Sequence, residues 1–117
     1  MNKAKYLGWY QIRDNIDAHV FTFFRYIGKL PIAADTVIIK YNEGAYLPDH
    51  KDVLRGFNCY RINFTYNSGS GGELTSDSFI YKSKYLNIFR PDTSLHGVSK
   101  VIDGTRWVFS IGIAIRK

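Results

Sequence analysis

The chain has 117 residues, a net charge of +6 and a pI near 9.5. Hydrophobic residues at 45% and aromatics at 16% exclude a disordered polymer, and a single cysteine, Cys59, excludes an internal disulfide. No apolar run is long enough to cross a bilayer as a helix, and the basic N-terminus has no secretory pattern. One globular domain over residues 1–117 is therefore expected, cytoplasmic and without a membrane partner. Lys and Arg are scattered, with no block of five like charges, so the positive balance reads as solubility charge. Attraction to nucleic acid is the alternative.

In chain order, residues 14–28 are predicted to form one amphipathic helix. Asp14 or Asn15 would cap it and Gly28 would end it. Ile16, Val20, Phe23, Phe24 and Ile27 then share one face, suited to packing on a sheet, with His19 at its margin as a structural histidine. From about residue 35 to 117 the texture is β-rich. Residues 37–41 are a β-branched run, and residues 57–66 alternate, with Tyr60, Ile62, Phe64 and Tyr66 on one side and Arg61, Asn63 and Thr65 on the other. Residues 79–81 and 85–89 suggest two more strands. Residues 98–102 and 105–115 are predicted to be the last pair, joined by a hairpin at Asp103-Gly104. Residues 67–72, Asn-Ser-Gly-Ser-Gly-Gly, read as a flexible loop. Many short strands point to a mainly β architecture, a jelly roll with an N-terminal supporting helix.

Three ligand-type side chains stand in a telling order. His50 and Asp52 are two apart, and His96 follows at a distance. Two histidines and one carboxylate form the facial triad that binds Fe(II) and leaves coordination positions open. On an extended segment a step of two puts His50 and Asp52 on one face. Arg106 follows His96 by ten residues, and in the last strand Arg106, Val108 and Ser110 share a face. An inward Arg106 needs a counter-charge, which a bound dicarboxylate supplies.

These residues carry a resemblance. The stretches Tyr41-Asn42-Glu43-Gly44-Ala45-Tyr46, His50-Lys51-Asp52, Tyr66-Asn67 with Gly71-Gly72-Glu73-Leu74, Phe89-Arg90-Pro91, and His96-Gly97-Val98 through to Gly104-Thr105-Arg106 resemble the 2-oxoglutarate- and Fe(II)-dependent oxygenase superfamily. The prolyl-4-hydroxylase-like branch is the most similar. The resemblance implies a double-stranded β-helix. It also implies His50, Asp52 and His96 as iron ligands, Arg106 on the distal carboxylate of 2-oxoglutarate and Tyr41 as a second contact. Ser110 and Asn63 are further polar candidates for the pocket. The activity implied is hydroxylation of a C–H bond using O2, with release of succinate and CO2 and with ascorbate as an optional reductant. The substrate implied is a protein or peptide residue such as proline.

Two alternatives stay open. The spacing of Tyr41, Gly44 and Ala45 is shared with the alkylation-repair branch, which implies a nucleic-acid base oxygenase or demethylase. A chain this short also suits a non-enzymatic β-sandwich binding module, or one half of a homodimer.

Overall fold

The computed structural model describes residues 9–12 and 16–117. Twelve strands are found among them, all paired antiparallel. In chain order they are β1 (Trp9–Gln11), β2 (Ala18–Tyr26), β3 (Ile32–Tyr41), β4 (Leu47–His50), β5 (Phe57–Asn67), β6 (Ser70–Gly71), β7 (Leu74–Ser76), β8 (Tyr81–Lys82), β9 (Leu86–Phe89), β10 (His96–Val98), β11 (Val101–Asp103) and β12 (Arg106–Arg116). A seven-stranded sheet runs β1-β2-β3-β12-β5-β9-β8. Opposite it lie a three-stranded sheet, β4-β10-β7, and a two-stranded one, β11-β6. This is the expected mainly β jelly roll, a double-stranded β-helix.

The supporting helix is absent from the described part of residues 14–28. Residues 18–26 form β2, paired with β3 from Ala18↔Tyr41 to Tyr26↔Ala34. Asp14 and Asn15, the proposed caps, lie outside the described residues. The apolar residues of this stretch fit a period of two as well as a helical one: Ala18, Val20 and Thr22 are buried, whereas Phe23, Phe24 and Ile27 are more than half exposed. The β-branched and aromatic content of Val20, Phe21, Thr22, Phe23 and Phe24 favours the extended form, and pairing along β3 secures it. His19 bonds Asp17 at 3.0 Å.

The predicted final hairpin is also corrected. Gly104 does adopt the left-handed backbone expected of it, with φ 75°. Yet β11 pairs with β6, while β12 lies between β3 and β5. The turn carries the chain from one sheet to the other. Asp103 Oδ1 accepts the Ser70 N–H at 2.9 Å and holds the turn against the 67–72 segment. That segment is more structured than a flexible loop. Asn67 Nδ2 donates to the Gly71 carbonyl at 2.7 Å, its Oδ1 accepts from the Gly69 N–H at 3.1 Å, and β6 lies inside it.

The large sheet mixes polar with apolar residues on its inner face and carries several aromatics on its outer face. On β12, Arg106, Val108 and Ser110 are buried, while Trp107 and Phe109 keep 36% and 39% of their surface exposed. On β5, Cys59 and Asn63 are buried, while Phe64 and Tyr66 look outward. The apolar core is correspondingly small. Ile16, Ala18, Tyr41, Ala45, Val98, Val101 and Val108 fill one end, and Ala33, Phe57, Cys59 and Ala114 fill the other.

Residues 90–94, between β9 and β10, are clamped onto β5. Arg90 donates to Asp92 from Nε at 3.0 Å and from Nη2 at 2.8 Å, and the Cys59 N–H donates to Asp92 Oδ2 at 3.1 Å. Ser94 N–H closes the turn on the Arg90 carbonyl at 2.9 Å. Burial opposes the charge on Asp92, but these donors outweigh it and hold the carboxyl below its usual 3.8.

Two outcomes follow. Val20→Asp, at a 5% exposed position, abolishes cooperative urea unfolding, whereas Phe24→Ser shifts stability by no more than about 0.5 kcal/mol. A helical stripe would make both severe. Asp92→Asn costs about 1–3 kcal/mol at pH 7. A depressed native carboxyl stabilises above the usual 3.8 and loses that contribution as pH falls through and below it. The gap between wild type and variant in urea midpoints therefore narrows at pH 3. An equal gap at both pH values would place the effect in packing rather than charge.

Candidate metal centre and its cavity

His50 ends β4 and His96 begins β10, and the two are register partners across that antiparallel pair. Facing positions bring their rings to a centroid separation of 4.4 Å. Asp52 lies just past the end of β4, where its N–H donates to the Pro91 carbonyl at 2.8 Å. Its Oδ2 stands 3.5 Å from His50 Nε2 and 3.4 Å from His96 Nε2. The ligand atoms of the three residues all lie within 4.8 Å of one another, so the cluster could hold a metal ion.

The two imidazoles are oriented alike. His50 Nδ1 donates to the Pro48 carbonyl at 2.7 Å, and His96 Nδ1 donates to the Ser94 carbonyl at 2.8 Å. A carbonyl only accepts, so Nδ1 carries a proton and Nε2 faces Asp52, where it donates to the carboxylate when protonated and presents a lone pair to a metal when not. A metal-bound histidine uses the same outer contact to fix tautomer and direction. Phe89 packs edge-on against His96, with centroids 4.9 Å apart. Desolvation beside the rings opposes the Asp52 charge, but the two imidazoles hold the carboxyl well below the usual range. His96 is buried, while the Asp52 side chain is 65% exposed, which leaves one side of the cluster open. The donor set, its shared direction and the open side fit a divalent cation with free coordination positions.

The cluster opens on a cavity of about 620 Å³. Tyr41, Asn63 and Ser110 line it as well. Ser110 Oγ donates to Asn63 Oδ1 at 2.6 Å and accepts from Arg61 Nη1 at 2.7 Å. Arg61 and Asp35, which sequence reasoning did not single out as site residues, pair at 2.8 and 2.9 Å on the same wall. The available signal was Arg61 itself, a lone cation sharing strand parity with Asn63 in an aromatic stretch.

Arg106 faces inward, 2% exposed, but lines a neighbouring cavity of about 660 Å³. Leu74 borders both cavities. The Arg106 guanidinium lies over the Tyr41 ring at 5.1 Å, so this pair forms part of the partition. Burial lowers the pKa of Arg106 and raises that of Tyr41, and each partly offsets the other's shift. Gly72, at φ 68°, sits where a Cβ would press the Arg106 side chain at 3.1 Å from Cδ. Among the described residues, three buried side-chain atoms lack a hydrogen-bond partner: Arg106 Nε, Thr65 Oγ1 and Asn87 Oδ1. All three residues line this second cavity.

No family model and no curated protein matches the chain. Among solved structures, KdgF from Halomonas sp. is similar at 13% identity and a TM-score of 0.55, over 95% of this chain and 88% of that one. The cupin domain of Schizosaccharomyces pombe Cnp3 is similar at 10% identity and a TM-score of 0.58, over 97% of this chain and 72% of that one. At such identities the likeness is one of fold: this chain has a cupin-like jelly roll with a His-Asp-His cluster that could bind metal.

Proposed function

We propose that this protein is a 2-oxoglutarate- and Fe(II)-dependent dioxygenase that hydroxylates a C–H bond on a protein or peptide residue such as proline, with release of succinate and CO2. The observation that carries the reading is the convergence of two Nε2 atoms and one carboxylate, with both Nδ1 atoms already committed to carbonyls. His50, Asp52 and His96 would hold the iron, which when bound supplies chelation of the 2-oxo acid and activation of O2.

The rest is positioning by the chain's own groups. Arg106 is a buried cation with an unanswered N–H. Leaving such a donor unmade costs about 1–3 kcal/mol, and a ligand carboxylate removes that cost. Tyr41 stacks beneath the guanidinium and lines the triad's cavity, so it stands between Arg106 and the cluster as a second contact for the cosubstrate. Asn87 Oδ1 and Thr65 Oγ1 offer polar contacts beside Arg106. Ser110 and Asn63 set the polar floor on the triad side. Ile39, Leu47 and Val98 line the same cavity and limit water near the reacting centre.

A nucleic-acid base as substrate is the second reading, and the +6 charge favours it. Salt-sensitive binding to single strands, with turnover of a methylated oligonucleotide and none of a proline peptide, would replace the peptide reading.

With Fe(II), the protein converts 2-oxoglutarate to succinate. His50→Ala and Asp52→Ala abolish both turnover and Mn(II) binding measured by calorimetry; retained turnover in His50→Ala defeats the metal assignment. Arg106→Gln keeps Mn(II) binding but weakens 2-oxoglutarate by roughly 10- to 100-fold, the worth of one charge-assisted contact. Metal binding with no turnover of the 2-oxo acid would leave a metal-binding module instead.

A further inference from the structure

The outer face of the seven-stranded sheet leaves large aromatic side chains in solvent, and neither cavity uses them. Phe23, Phe64 and Tyr66 keep 56%, 46% and 61% of their surface exposed, and Trp107 and Phe109 keep 36% and 39%. Together the five rings present on the order of 500 Å², taking about 200 Å² for a whole aromatic side chain. That lies at the upper end of the roughly 300–600 Å² found for the largest apolar patch of a monomer. It is over half of the roughly 800 Å² that each partner gives to a stable interface. Half-buried Ile38, Ile62 and Ile111 stand at outward positions between the rings and add to it.

The layout of the face about its middle strand points to its occupant. β12 is the fourth of the seven strands, with β2 and β5 on opposite sides of it. The Phe109 ring on β12 lies 6.5 Å from Phe23 of β2 and 6.4 Å from Phe64 of β5. Equal spacing on the two flanks makes the face complementary to itself. A two-fold axis along β12 exchanges the flanks, so Phe23 of one copy meets Phe64 of the other, and Phe109 meets Phe109. The neighbouring row obeys the same symmetry. Lys40 and Tyr66 flank Trp107 in register, and the axis sets Lys40 of one copy against Tyr66 of the other. The one charged side chain of the two rows thus meets an aromatic ring instead of its own like. Packed sheet faces keep their strands within about 30° of each other, which an axis along β12 permits.

We propose that this face is an interface between two copies of this chain, paired about a two-fold axis that runs along β12 over Phe109. Arg106 and Ser110 belong to the inward parity of β12 and line the two cavities, so the pairing is independent of the metal and oxygenase readings.

Sedimentation equilibrium on the full chain reads the association. The wild type is a dimer with a dissociation constant of about 10 µM or below, the weak end for an interface of this size. Phe109→Asp, at the axis, weakens the dimer by roughly 100-fold or more, because it sets two carboxylates together in apolar surface. Ile102→Asp, at a 60% exposed position on β11 in the other sheet, leaves it unchanged. Cooperative urea unfolding of each variant reports an intact fold. Phe23→Glu and Phe64→Lys each weaken association, and an equimolar mixture of the two recovers a dimer. In that mixture the axis brings an introduced carboxylate against an introduced ammonium at one contact and keeps the native rings at the other. A wild type that stays monomeric, as it does if another segment of the chain or a different protein covers the face, overturns the proposal. So does a dimer that survives Phe109→Asp, or a mixture no more associated than its two components.

Discussion

The clamp of residues 90–94 on β5 is the constraint on which the candidate site depends. Asp92 is fastened to β5 through the Cys59 N–H and to its own loop through Arg90. With that loop fixed, its carbonyls become fixed acceptors. Pro91 receives the N–H of Asp52, and Ser94 receives Nδ1–H of His96. Two of the three cluster residues, one just past β4 and one at the start of β10, are thus set by one short turn. His50 is set by its register opposite His96 and by the Pro48 carbonyl. Such indirect control explains how exposed Asp52 is positioned without being buried. Gly97 completes the arrangement: a Cβ there would lie 2.6 Å from the Leu47 carbonyl oxygen, so the close approach of β10 to β4 next to His96 needs glycine.

The inverted large sheet follows the same logic at the scale of the fold. Alternation on a strand puts one parity inside, and burial of aromatics would be the ordinary choice. Here the inner parity of β5 carries Cys59, Arg61, Asn63 and Thr65, and that of β12 carries Arg106, Val108 and Ser110. Polar groups inside are costly unless bonded. Most are bonded to one another, as in Arg61–Ser110–Asn63 and Arg61–Asp35. The atoms left unbonded are gathered at one cavity rather than scattered through the core. An interior built this way is a chamber in which paired polar groups on the large sheet stand among apolar side chains such as Ile39, Leu47, Phe89 and Val98.

Much of this was legible in the sequence, and the failures have identifiable causes. The β texture from residue 35 onward, the alternation in residues 57–66 and the inward parity of Arg106 and Ser110 follow from local patterns that the sheets respect. Ile16, Val20, Phe23, Phe24 and Ile27 misled because an apolar set spaced by three and four also contains a period-two subset. Pairing with β3, which lies outside the segment, decides between them. Asp103-Gly104 signalled a turn correctly, but which strands a turn joins depends on where β6 stands. Asp35 and Arg61 are 26 residues apart and meet only because Gly112, far along the chain, lies between them. No local reading contains that coincidence.

The partition between the two cavities ties these strands of argument together. Tyr41 is the register partner of Arg106 across β3 and β12, and both are 2% exposed. A cation stacked on an aromatic face gains about 0.5–2 kcal/mol when desolvated, less than full solvation would give it. The Arg106 charge is therefore held in a poorly compensated state, with its Nε unbonded and Glu73 as the acidic group whose field reaches it. On the wall of the triad's cavity Arg61 is answered by contrast, with two bonds to Asp35 and one to Ser110. Among the described residues the unmet cationic donor thus lies behind the partition rather than beside the cluster. A buried cation with an unmade bond favours an anionic group in that second cavity, because such a group would answer both the charge and the open donor.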